Sequence, residues 1–288
     1  MPDFVTRLVD GWERALRHAP LVLVPIVLAA MDANKIRSVL AFDGLHLGFK
    51  VGAPLSVVTV WQFVSVPKSG VSVDTGVPLE LLPFAAVSVP VALVVQSALT
   101  AGYFGSVADV VRGQEYDFVA NVAAYFRPFF VLTLLPFLAL LPLALGVVGP
   151  GLSGGVPAGA LAVVALGIPV FVALAYLFYA TPYLVVLRDV GVVDAARGSY
   201  ALALRGGPYL SYFLGFALFV LAVSPVATVV VVNVPLLGVP LGVVGGGVLG
   251  LAANLATARF VADVDPESAS TAWESVSPTT DEESTTDE

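Results

Sequence analysis

Residues 128–187 read PFFVLTLLPFLALLPLALGVVGPGLSGGVPAGALAVVALGIPVFVALAYLFYATPYLVVL, sixty residues without one Asp, Glu, Lys or Arg. A water-facing surface needs charge, and the interior of one small soluble domain cannot absorb so long an apolar run. A bilayer core takes about 20 residues of helix per crossing. The stretch is therefore long enough for two crossings and a tight turn near 149–156. Residues 206–258 repeat the pattern over fifty-three residues. Working outward from these runs, six transmembrane helices are expected near 19–41, 79–106, 128–148, 157–187, 208–232 and 237–261. The fold class is all-α membrane.

Composition agrees, with 58% hydrophobic residues, 12% charged and a mean hydropathy of +0.94 over 288 residues. The net charge of −8 is concentrated: residues 263–288 carry nine acids and no base, while the remainder has 13 bases and 12 acids. Residues 1–262 thus read as a six-span membrane domain and 263–288 as a disordered acidic tail with almost nothing to bury. The absence of cysteine removes disulfides, thiolate metal sites and Cys nucleophiles. Charges through residues 1–19 and the lack of a small-residue cleavage site argue against a cleavable signal peptide. The acidic tail, the preference for Arg over Lys and the Ala/Val/Gly richness resemble proteins of salt-loving archaea.

With six spans both termini share a side. Arg7, Arg14, Arg17, Arg112, Arg127, Arg188, Arg197, Arg205 and Arg259 lie there, against Lys35, Arg37, Lys50 and Lys68 opposite. This asymmetry predicts a multi-pass protein of the cell membrane with both termini cytoplasmic. The stretches before spans one, three and five share a layout: an amphipathic segment with Arg, then Pro20, Pro128 or Pro208, then an apolar run. Such segments fit helices lying flat in the interface. The even-numbered spans also end alike, at Leu99-Thr100-Ala101-Gly102-Tyr103, Ala180-Thr181-Pro182-Tyr183 and Ala256-Thr257-Ala258-Arg259-Phe260. Tyr103 to Tyr183 and Pro128 to Pro208 are both offsets of 80. Three tandem repeats are expected, each an interfacial helix plus a helical hairpin.

One insertion breaks the symmetry. Residues 43–78 contain three β-leaning pieces, 45–51, 56–66 and 71–77, separated by turn-like Gly/Pro stretches. A small external β-like insertion is the expectation. A re-entrant segment at 51–66, too short to span as a helix and carrying Gln62, is the competing reading.

Candidate polar positions are few. Asp32, with Asn34, Lys35 and Arg37, is the ionisable cluster nearest membrane depth, and an acid there is a functional candidate unless the group snorkels to the surface. Asp109 and Asp189 follow spans two and four at matching positions, as helix caps, Arg partners or a ligand site. In the last span Gly238, Gly242, Gly246 and Gly250 recur every four residues, with Asn254 and Ala258 continuing the row. This is a glycine zipper, a face without side chains where another helix can approach closely, and Asn254 is expected to hydrogen-bond across it. No His/acid cluster has metal spacing, no P-loop or Gly-x-Ser-x-Gly elbow occurs, and no cofactor is expected.

The stretch TPYLVVLRDVGVVDAARGSYALALRGGPYLSYF (181–213) joins an aromatic/Pro span end to Asp189, Asp194-Ala195, Arg197, Ser199 and an aromatic span start. It resembles the membrane-domain superfamily found fused to some glycerophosphodiester phosphodiesterases and in stand-alone prokaryotic membrane proteins. AGYFGSVADVVRGQEYDF (101–118) is similar to the corresponding earlier segment, and the resemblance covers about 90–262. No stretch matches a soluble phosphodiesterase domain, so the resemblance implies no hydrolase activity. The expected role is non-enzymatic, as a scaffold or accessory subunit; a transporter of an apolar or lipid-like substrate is the alternative. Expected partners are the lipid bilayer and a membrane-protein partner or a second copy, with no nucleic acid.

Overall fold

Caps and breaks divide the apolar runs in the computed structural model, which describes residues 3–67, 82–148, 158–234 and 236–268. Helix α1 (Phe4–Arg17) starts at Asp3, whose carboxylate accepts the Thr6 N–H at 2.8 Å, and ends with Arg14 and Arg17 in its last turn. An acid at the N-cap and cations in the last turn both complement the helix dipole. His18 closes it, with Nδ1 3.0 Å from the Arg14 carbonyl. A 3₁₀ turn (Ala19–Val22), carrying Pro20, leads into α2 (Leu23–Met31), and the chain bends by 102° between α1 and this segment. α1 carries Arg7, Asp10, Glu13, Arg14 and Arg17, charges that hydrocarbon does not tolerate cheaply, whereas the segment after the bend is apolar.

The first span is itself broken. Asp32 ends α2 and caps α3 (Ala33–Leu40), accepting the Lys35 N–H at 3.4 Å. The indole of Trp61 donates to the Ala29 carbonyl at 2.8 Å, in the last turn before the break. Trp61 belongs to α4 (Val60–Phe63), a single turn within the residues expected to form an external sheet. Among the described residues, 43–67 contain no strand. Val57, Val58, Val60, Trp61, Phe63 and Val64 are buried instead, so the segment folds back into the bundle as a re-entrant piece. Irregular backbone is tolerated at membrane depth only where protein encloses it and satisfies its polar groups. The β-leaning residues 71–77 lie outside the described residues.

The remaining helices are α5 (Leu82–Arg112), α6 (Phe118–Val148), α7 (Ala158–Phe178), α8 (Thr181–Leu187), α9 (Val192–Arg205), α10 (Pro208–Asn233) and α11 (Gly238–Val264). Among the described residues five helices are long and apolar enough to cross a membrane, or six if the bent pair of α1 and Ala19–Met31 counts as one span. α5 and α6 form a tight hairpin. A Cβ on Gly102 would lie 2.6 Å from the Phe118 ring, and one on Gly105 would lie 2.6 Å from the Asn121 side chain.

The interfacial segments behave unequally. α9 is separate from α10 because Gly206 and Gly207, at φ +62° and +54°, adopt a backbone that favours glycine, and Pro208 then starts the next helix. No such break precedes the third span. α6 runs from Phe118 through Pro128, so the expected flat helix there is the first part of a continuous one. A proline removes one backbone bond from a helix, which neighbouring groups in a membrane bundle can absorb. The fourth span divides at Tyr179–Ala180 into α7 and a wholly buried α8.

Both chain ends meet on one face, called the terminal face below. Arg7, buried and 5.4 Å from the Phe260 ring centroid, pairs with Asp263 at 2.6 Å. Arg188 holds Asp265 through two hydrogen bonds at 2.5 and 2.8 Å and reaches Glu267 at 2.6 Å. The first residues of the acidic tail are thus pinned to the bundle; residues 269–288 lie outside the described residues.

Candidate functional site

The glycine row of α11 is shared between a helix, as expected, and the segment that folds back into the bundle: Gly238 and Gly242 face α10, Gly246 and Gly250 face residues 58–60. A Cβ on Gly250 would overlap the Val58 carbonyl oxygen, and one on Gly246 would lie 2.5 Å from the Cβ of Val60. Gly242 faces Val231 and Val60, and Gly238 faces the Val230 and Val231 carbonyls. A one-turn helix with extended flanks keeps its backbone close to its surface, so only a face without side chains admits it. Gly245, off this row, meets nothing within 4 Å of a built Cβ.

One turn beyond Gly250, Asn254 is fully buried and fully bonded. Its Oδ1 accepts the Val58 N–H at 2.9 Å and the Tyr103 hydroxyl at 3.0 Å. Its Nδ2 donates to the Ser56 carbonyl at 3.1 Å and to the Tyr183 hydroxyl at 2.8 Å. Two lone pairs and two N–H groups are all used. The two tyrosines come from α5 and α8, at the positions separated by 80 in the sequence, so one amide ties three helical elements to the re-entrant backbone.

Other side chains complete the same task along the segment. Thr228 Oγ1 accepts the Ser65 N–H at 2.9 Å. Asn233 brackets His46, accepting its N–H at 2.8 Å and donating to its carbonyl at 2.9 Å. The Gln62 amide donates to the Ala53 carbonyl at 2.8 Å, and the Lys50 ammonium to the Trp61 carbonyl. Each replaces a bond that helix or sheet would have supplied, and a bare polar group in hydrocarbon costs several kcal/mol.

Asp32 and Lys35 form an ion pair beside the α2–α3 break, with side chains 18% and 24% exposed, and Arg37 follows one turn on. The first span bends at the cluster and carries it as a cap. Asp109 accepts from Asn121 at 2.7 Å, and Arg112 donates to the Val186 and Leu187 carbonyls at 3.0 and 2.9 Å, closing the end of α8. Asp189, exposed at φ +52°, lies within electrostatic reach of the Tyr125 phenol, as do Asp109 and Arg112. The structure therefore gathers Asp109 and Asp189 around Tyr125, and leaves Asp32 and Asn254 in separate neighbourhoods.

Burial alone would push the Asp265 carboxyl up. The hydrogen bonds from Arg188 and Ser268 and the charge of Arg188 outweigh it and hold the group below the usual carboxylate range. Arg188 is raised in turn, chiefly by its hydrogen bonds to Asp265. Arg partners were one option for Asp109 and Asp189; Arg188 turns to Asp265 and Glu267 instead. The roles of Trp61, Thr228 and Asn233 were also missed, since single polar residues in apolar runs carry no spacing signal. The tyrosines were visible as a repeat but not as ligands of Asn254.

Among the described residues no group of three or more His, Cys, Asp or Glu is placed to hold a metal. The buried polar groups at the centre are a neutral amide, phenols and hydroxyls; Asn254 and Thr228 hold backbone, Tyr103 and Tyr183 bond the Asn254 amide, and the Ser106, Thr181 and Ser224 hydroxyls are buried without a hydrogen-bond partner among the described residues. No family model matches the chain, and neither a curated protein nor a solved structure does.

Proposed function

We propose that this chain is a non-enzymatic integral membrane protein, a scaffold or accessory subunit, built on three tandem interfacial-helix-plus-hairpin units with its termini in the cytoplasm. The observation that carries the reading is the filled centre. The re-entrant segment and Asn254 occupy the ground between α2, α5, α10 and α11, with the hydrogen-bonding capacity of the amide fully spent. A transport path needs polar groups that exchange partners with a substrate, and the Asn254 amide is committed to the backbone of residues 56 and 58 and to two tyrosine hydroxyls. Tyr103 and Tyr183 converging on one amide supports the repeat reading, as do the separate helices α1 and α9 ahead of Pro20 and Pro208. Kinship with the superfamily resembled by residues 90–262 belongs to the same proposal.

The surface left for a partner is large. Residues 167–174 of α7 are exposed on every face, including Ile168, Val170, Phe171, Val172 and Leu174. Photo-crosslinking from Val170 and Leu174 in native membrane tests the reading. A single protein recovered from these positions, and not from Val119 on α6, supports an accessory subunit. Lipid adducts alone, together with transport of an added lipid by reconstituted protein, would overturn it. The transporter alternative draws on one observation, an apolar groove of about 580 Å³ lined by Phe4, Val5, Leu210, Leu214 and Leu218.

A further inference from the structure

A second depression, about 570 Å³, opens on the terminal face where the chain turns from α1 into the first span. Arg14, Arg17 and His18 form one wall, and Gln114, Glu115 and Tyr116 from the α5–α6 connection form the other, over Val110. Gly113, at φ +74°, has nothing within 4 Å of a built Cβ, so the connection leaves this space open.

Charges of both signs line this hollow, Arg14 and Arg17 on one wall and Glu115 on the other. Asp10 is shared, accepting from Arg14 at 3.1 Å and from Arg259 at 3.2 Å. One carboxylate thus faces two guanidinium groups. Among the described residues Arg17 makes no ion pair, with Glu13 or any other acid. His18 is anchored through Nδ1 to the Arg14 carbonyl and stands 6.2 Å, centroid to centroid, from the Tyr116 ring, which leaves Nε2 without a partner. Two guanidinium groups, an imidazole, an amide and a phenol around one hollow, outnumbering the single Glu115 carboxylate there, form a donor set for an anion with several oxygens.

The depth of the pocket says which anion. Val5, Val9, Trp12 and Leu16 form a stripe on α1 that stays 42–64% exposed, next to the charged face. An amphipathic helix with that stripe lies with its apolar side in the acyl boundary, so the charged end of α1 is at headgroup level. The 102° bend carries the chain from there into hydrocarbon. Basic residues just outside a span gain about fivefold in affinity each from an anionic leaflet.

We infer that this pocket binds the phosphate of an anionic lipid in the leaflet on the terminal face. The site is independent of the scaffold reading, since neither the re-entrant segment nor α7 contributes to it. Full-length protein in a neutral detergent, titrated with phosphatidylglycerol or phosphatidylcholine and read by native mass spectrometry, tests it. Phosphatidylglycerol should be retained in preference. Arg17→Gln and Gln114→Glu should each weaken that retention by about fivefold, while Arg197→Gln, an exposed cation on α9, should not. Both test positions are exposed, so melting temperatures should match the parent and keep folding out of the comparison. Equal retention of the two lipids would overturn the site, as would an Arg197→Gln loss equal to that of Arg17→Gln. Displacement of the lipid by millimolar inorganic phosphate would overturn the lipid assignment in favour of a soluble phosphate; persistence of the lipid supports it.

Discussion

Replacing Asn254 by Leu removes the amide that holds the re-entrant segment while keeping the side-chain size. The change orphans the buried Val58 N–H and takes the amide partner from the part-buried carbonyl of the exposed Ser56. The buried Val58 N–H orphan costs about 1–3 kcal/mol, and the carbonyl of the exposed Ser56 adds less. The Tyr103 and Tyr183 hydroxyls lose a partner as well, but can rotate, and side-chain hydrogen bonds in membrane proteins average only about 0.6 kcal/mol. Tyr103→Phe and Tyr183→Phe should therefore each be mild, and the Val58 N–H orphan should dominate. The assay uses the absence of native cysteine. Val57→Cys, at a position 8% exposed, should resist a membrane-impermeant maleimide in the parent and label readily beside Asn254→Leu, whose melting temperature in detergent should fall well below that of either Tyr variant. Parent-like melting with a protected cysteine at position 57 would show that apolar packing alone seats the segment.

Gly250→Ala should destabilise by about 1–3 kcal/mol through overlap with the Val58 carbonyl, whereas Gly245→Ala, facing open space, should be neutral or gain up to about 1 kcal/mol of helix preference; thermal melts in detergent separate the two. Asp32→Ala should cost about 0.5–2 kcal/mol as a lost cap, and Asp32→Asn much less, because Asn caps equally well; a severe Asn defect in growth or expression would point to a need for the charge itself. The Asp265 carboxyl is held below its ordinary value in the fold, so its pairing stabilises the protein above the usual carboxylate range and is lost as pH falls through the depressed value. Melting measured from neutral pH down past about pH 4 should show an acid limb that is weaker in Asp265→Asn. Protease added outside intact cells should cut a tag inserted after Ser69 and spare a tag following Glu288, and the reverse pattern would invert the topology.

Charge-free runs of sixty and fifty-three residues are a solvent statement, and solvent preference is written residue by residue; that is why the membrane class and most of the helices were legible before any contact was known. Local backbone chemistry was equally readable where one residue decides it: Pro208 begins α10, and the glycines before it separate α9. Which element fills a groove is not local. The glycine row of α11 advertised a close approach, but helix and extended backbone compete for such a face on equal terms. The choice fell to residues far away in the chain, where Asn254, Thr228 and Asn233 supply the hydrogen bonds that residues 46–65 do not make for themselves. Strand propensity at 56–66 was real as a local preference for extended backbone, yet a strand needs an edge to pair with, and the bundle offered side chains instead. Likewise, Arg188 and Asp265 are separated by two spans and meet only because the ends of α8 and α11 come together on one face. Sequence determined which solvent each segment prefers; tertiary structure alone decided which buried polar group satisfies which, because that pairing depends on distance in space and not along the chain.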